Sequence, residues 1–99
     1  MAKKLLPTHP GEILREELDE RGISMNRLSR DIRVPLSRIS LIVNGKRAMT
    51  PDTALRLERY FGAEAQFWMN LQTNFDLEIA KRGLSRIRQE VIPADRSAA

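Results

Sequence analysis

The 99-residue chain has no cysteine and a single histidine, His9. Without cysteine there is no disulfide framework and no thiolate metal site. With one histidine, a metal centre or a histidine-based catalytic pair would have to be built from carboxylates alone. No catalytic residue, metal or cofactor is therefore expected, and His9, with Thr8, reads as the start of a helix. Long apolar runs are also missing. Nothing approaches the ~18 residues needed to cross a bilayer. After Lys3 and Lys4, the pair Leu5 and Leu6 is cut off by Pro7 before a secretory signal could develop. The expectation is a cytoplasmic protein with no membrane partner. What remains is ordinary globular composition, 41% hydrophobic and 30% charged, in a chain long enough for one core and not two.

The net charge is +4, with a pI of about 10.1, and its distribution is uneven. Residues 11–22 carry two basic and five acidic side chains, which gives −3, and residues 48–80 repeat that balance. Between them lie Arg27, Arg30, Arg33, Arg38, Lys46 and Arg47 against Asp31 alone, six minus one, or +5 within residues 24–47. From Lys81 onward five basic groups face two acidic ones for +3, and Lys3 with Lys4 adds the last +2. A positive field concentrated in one block suits a polyanion.

Apolar spacing is helical throughout, and the expected fold is all-α. Residues 1–9 read as an extended arm, because Pro7 and Pro10 bias the residues before them away from the helical region. A first helix opens at Pro10, with Ile13, Leu14 and Leu18 at helical spacing, and stops at Gly22. Ser24 can cap a second helix on Met25, Leu28 and Ile32. Pro35 fits the start of a third, whose apolar face is Ile39, Ile42 and Val43 before Asn44 and Gly45 end it. Thr50 and Pro51 begin a fourth helix that ends at Gly62, and a fifth runs from about Ala63 with Phe67, Trp68, Leu71, Phe75 and Ile79 on one side. Residues 10–80 thus form a five-helix domain. Residues 81–99 form a basic extension in which Leu84, Ile87 and Val91 allow a short sixth helix before a frayed end.

Two short helices joined by about three residues, the second followed by cations, are the sequence form of a helix-turn-helix, here at about residues 24–45. A recognition helix must be short enough to enter a groove about 12 Å wide, with its exit loop beside the phosphates. Asn44 and Gly45 supply the reversal, and Lys46 and Arg47 stand where phosphates would pass.

The blocks HPGEILREEL, RISLIVNGKRAMTPDTALRLERYFG and FWMNLQTNFDLEIA, taken in that order, resemble the phage-repressor-like helix-turn-helix proteins. Within these they resemble the HigA-type antitoxins, once called virulence-associated protein I. The resemblance covers about residues 9–80. It implies a non-enzymatic repressor of its own toxin-antitoxin operon that acts as a homodimer on double-stranded DNA and pairs with a small ribosome-dependent mRNA endonuclease, a HigB-type toxin. Some relatives without a toxin neighbour act as solitary regulators. Two positions depart from the pattern. Arg33 stands where the turn usually has glycine, and Ser29 where a small residue, often alanine, is usual. Arg33 is then expected to be left-handed, at about 1 kcal/mol.

With Ile39 as the buried anchor, the exposed side of the third helix should present Leu36, Ser37, Ser40 and Leu41, with Arg38 on its flank. The serines can bond base edges or phosphates, Arg38 can reach guanine or phosphate, and a leucine can meet a thymine methyl. The alternative is that Leu36 and Leu41 extend the core and Arg38 is merely solvated. Asn44, Lys46 and Arg47 are the exit-loop candidates, and Arg27 and Arg33 the flanking ones. One such module reads too few bases to be selective, so an inverted-repeat operator and a two-fold dimer are expected. The fifth helix is the pairing candidate through Phe67, Trp68, Leu71, Phe75 and Leu77. Two further readings compete with a repressor: a small basic nuclease, and a helical module whose basic face meets an acidic protein or RNA.

Overall fold

The computed structural model describes residues 7–95. Most of the expected arm (residues 1–6) and the last four residues of the tail lie outside that range. Six α-helices follow one another with no strand among the described residues: α1 Pro10–Arg21, α2 Met25–Ile32, α3 Leu36–Val43, α4 Pro51–Phe61, α5 Ala65–Ala80 and α6 Leu84–Glu90, with one 3-10 turn, Lys81–Gly83, between the last two. The expected five-helix domain is present. The spacing of Leu84, Ile87 and Val91 yields the short sixth helix.

Three of the helices begin on a side-chain cap that the local sequence supplies. His9 caps α1, its Nδ1 accepting the Gly11 N–H at 2.9 Å. Ser24 caps α2 by accepting the Arg27 N–H at 3.0 Å, and Thr50 caps α4 by accepting from the Thr53 N–H. Such caps satisfy amide donors that have no partner inside the helix, each worth about 1 kcal/mol.

The core gathers Leu14 and Leu18 of α1, Leu28 and Ile32 of α2, Ile39, Ile42 and Val43 of α3, Ala54 and Leu57 of α4, and Trp68 of α5, with Val34 and Met49 from the connections. Fixing α3 this way requires a close approach by α1. A Cβ on Gly11 would lie 1.8 Å from the Ile42 carbonyl oxygen, so only glycine lets the start of α1 rest on the end of α3. From Asp76 to Asp95 every residue is exposed, and the molecule measures 57 × 30 × 22 Å.

Candidate nucleic-acid interface

α3 buries Ile39, Ile42 and Val43, and its other side chains range from half-buried to exposed. Ser37 is exposed and Ser40 half-buried. Leu36 and Leu41, at 42% and 40% exposure, do not extend the core and are free to meet a ligand. Arg38 is only partly available. Its side chain leans toward α4, with Nη1 3.9 Å from the Asp52 carboxylate, and its Nε is buried without a partner. An ion pair this long is weak and yields readily to a phosphate or a base edge.

The turn before α3 is the predicted one. Arg33 is the sole non-glycine residue at positive φ among those described, at φ 59°, and it caps α2 through its N–H to the Ser29 carbonyl. The two departures from the family pattern act together: the Ser29 hydroxyl donates to the Val34 carbonyl at 2.6 Å and holds the chain just past the strained residue. Arg56 adds a third tie, donating from Nη1 to the Ile32 carbonyl at 2.9 Å.

At the other end of α3, the Gly45 N–H reaches the Ile42 carbonyl at 2.9 Å and the Lys46 N–H reaches that of Leu41 at 2.8 Å. Gly45 alone takes positive φ, at 73°, while Asn44 stays at −89°. Asn44 has a different task. Its Oδ1 accepts from Arg15 at 3.1 Å, which leaves its Nδ2 to donate, at 3.5 Å, to the Ser40 hydroxyl. Arg15 was not among the sequence candidates, because it sits in a strongly acidic helix and its partner is far away in the chain. Lys46 and Arg47 are exposed. The loop carrying them is held from behind: the Met49 N–H donates to the Oε1 of buried Gln72 on α5 at 2.7 Å, and Gln72 in turn donates to Asp76 at 2.9 Å.

The flanking arginines are placed differently from those of the exit loop. Arg27 lies 3.4 Å from Asp31 within α2. Arg33 lines a groove against α4 together with Arg59 and Tyr60. In that groove the Tyr60 hydroxyl donates to Asp31 at 2.5 Å. This hydrogen bond, with Arg27 as a smaller help, lowers the Asp31 carboxyl from its usual range, and it raises the Tyr60 phenol from its own against the opposing pull of Arg27.

The sequence candidates on α5 separate into two groups. Trp68 is 1% exposed and belongs to the chain's own core, so it has no surface to offer a partner. This corrects its assignment as a pairing residue, since an apolar period cannot distinguish inward from outward neighbours. Leu71 is half-buried against the same core, and Phe75 packs edge-on against His9 at 4.9 Å. Phe67 and Leu77 remain exposed, and the apolar surface continues beyond them through Ile79, Leu84 and Ile87 to Val91 and Ile92.

Comparison with known proteins agrees with this geometry. The helix-turn-helix family model matches residues 14–68. Virulence-associated protein I of Dichelobacter nodosus is 53% identical over 75 residues, which is 75% of this chain and 69% of that protein. The solved addiction module antidote protein of the HigA family from Coxiella burnetii superposes with a TM-score of 0.83 at 44% identity, covering 90% of this chain and 99% of that one. The Pseudomonas aeruginosa antitoxin HigA, solved with the higBA promoter, gives 0.84 at 43% identity, with 90% and 99% covered. With a family match across more than half its length and relatives this similar across most of it, the chain belongs to the helix-turn-helix family and, within it, to the HigA-type antitoxins.

Proposed function

We propose that this protein is a transcriptional repressor that binds an inverted-repeat operator in its own promoter as a dimer, and that it is the antitoxin of a HigB-type toxin. The reading is carried by the outer face of α3, where Leu36, Ser37 and Leu41 are exposed and Ser40 is half-buried, beside the exposed Lys46 and Arg47. In this reading α3 lies in the major groove, Ser37 and Ser40 reach base edges and Leu36 and Leu41 offer methyl contacts. Arg38 swings from Asp52 to a base or phosphate, and Asn44, Lys46 and Arg47 grip the backbone. Arg27 adds a phosphate contact from the start of α2, and Arg33 one from the turn. The solved HigA with its promoter supports this arrangement by likeness of fold.

Pairing is assigned to the outward face of α5, through Phe67 and Leu77, with Leu71 and Phe75 buttressing it from beneath. It is set outside the basic block so that both recognition helices remain free. An isologous contact of this kind presents two α3 helices one DNA turn apart, about 34 Å. No described helix is long and apolar enough to cross a membrane, and the protein is placed in the cytoplasm with its DNA.

The test is a gel shift of purified protein against its own upstream DNA, with a nuclease assay alongside. Specific retardation that weakens steeply with salt is expected. Cleavage of the probe, or the absence of any specific complex at low salt with a folded protein, would overturn the reading. Co-expression with the product of the neighbouring reading frame separates an antitoxin, which co-purifies with it, from a solitary regulator, which does not.

A further inference from the structure

We propose that the groove between the α2–α3 turn and α4 is a docking site for an acidic segment of a partner protein, one that carries an apolar side chain between two carboxylates. The groove is open to solvent and holds about 690 Å³, a volume in the range of sites that hold a few side chains. Leu55 lines it and is 59% exposed. Two guanidinium groups line the same groove, Arg33 from the turn and Arg59 from α4. Neither has an ion-pair or side-chain hydrogen-bond partner among the described residues. The other charges present are already engaged: Asp31 by Tyr60 and Arg27, and Asp52 by Arg56 at 2.9 Å. The groove therefore offers an apolar floor and two free forks, each suited to bidentate capture of a carboxylate.

Charge and polarity together select the occupant. A nucleic acid backbone would gain nothing from Leu55 and would run past the carboxylates of Asp31 and Asp52, which line the groove too. A short peptide can place one carboxylate on Arg33 and the other on Arg59 and lay an apolar side chain on Leu55, a combination a phosphate backbone does not offer. The site also borders the turn that aims α3, because Ile32, whose carbonyl Arg56 holds, is part of the groove wall. A bound segment would grip the turn from the side away from Asn44 in sequence. This inference goes beyond DNA recognition; it shares Arg33 with the phosphate contact proposed above, so a bound acidic segment would compete with DNA for that one side chain, whereas Leu55 and Arg59 serve the groove alone.

The experiment is a titration of isotopically labelled full-length protein, followed by NMR. The probe is a short amidated peptide with two glutamates on each side of a leucine, and its glutamine counterpart serves as the control. Saturable shifts of the Leu55 methyls and of the Arg33 and Arg59 Nε signals are expected at millimolar peptide or below. Binding should fall about tenfold or more, one charge-assisted pair's worth, in Arg59→Gln and in Leu55→Asp. Both positions are exposed, and circular dichroism confirms that each variant is folded. Equal binding of the glutamine peptide, shifts centred on Ser37 and Ser40, preferential displacement by a single-stranded RNA oligonucleotide, or no saturation would each overturn the proposal. A gel shift of the same two variants keeps the readings distinct, since operator affinity should remain within about twofold of the parent.

Discussion

Gly11 and His9 show how single side chains set the position of α3. Gly11→Ala would drive a methyl group into the Ile42 carbonyl. The expected loss is about 3 kcal/mol or more of stability, read as a lower urea midpoint, with DNA affinity falling in parallel because α3 shifts. His9 adds a pH dependence whose sign can be worked out. Burial lowers its pKa from the ordinary 6.5, outweighing the pull of Glu12 and Asp76 in the other direction. The unfolded chain then binds the proton more readily than the folded one, so this contribution to stability is complete above pH 6.5 and is lost as pH falls through the folded-state value. The same protonation takes Nδ1 away as the acceptor for Gly11. Thermal melts from pH 7.5 to 5 should show a fall in midpoint that His9→Asn, which keeps a capping oxygen, lacks. Arg15 is a third case. If it sets the orientation of the Asn44 amide, Arg15→Ala should narrow the preference for operator over scrambled DNA by several-fold, while Lys46→Ala and Arg47→Ala weaken both and each reduce the salt slope by about one.

At the scale of elements, sequence signals of two kinds fared differently. Helix starts and stops depend on a few adjacent residues, and Ser24, Thr50, Pro10, Pro51, Gly22 and Gly62 marked them legibly. The left-handed Arg33 was legible for another reason: the resemblance to the family placed it where the turn usually has glycine, and the structure puts it at φ 59°. The apolar face of α3 could also be read, because one buried residue, Ile39, fixes the rest by periodicity. Partners distant in the chain left no such mark. Nothing in the local pattern pairs Arg38 with Asp52, Arg15 with Asn44 or Gln72 with Met49. On α5, a helix apolar on more than one side, the period could not separate Trp68, which faces inward, from Leu77, which faces out. The Gln72 bond gives a direct test: Gln72→Leu leaves the Met49 N–H buried and unpaired, at about 1–3 kcal/mol. The exit loop should then exchange its amide hydrogens faster while α1 and α2 stay protected.

Taken whole, the molecule divides into a packed part and an exposed one. The packed part ends with the middle of α5. Beyond it the apolar residues Leu77, Ile79, Leu84, Ile87, Val91 and Ile92 are all exposed, a run of unburied apolar side chains of the kind a partner surface uses. Leu77→Asp is expected to shift light scattering from dimer toward monomer while leaving the helical signal and the melting of the core intact. Phe67→Asp should act in the same direction, and an unchanged dimer in both variants would remove α5 as the pairing element. A monomer variant should bind operator DNA far more weakly than the parent yet keep its affinity for non-specific DNA per module, because the phosphate contacts reside in each chain separately.

The Gln72–Met49 bond has a further consequence, for the thermodynamics of association. A loop that must become ordered on meeting its target loses conformational freedom at that moment, and the loss subtracts from affinity. Here the segment bearing Lys46 and Arg47 is anchored on one side by the Lys46 and Gly45 amides and on the other by Met49. Its freedom is surrendered during folding. Complex formation should therefore show a small entropic penalty from the protein, with release of condensed cations from DNA dominating the entropy change. In calorimetry, cutting the anchor with Gln72→Leu should move the binding entropy in the unfavourable direction even though residue 72 is buried on α5, behind the exit loop.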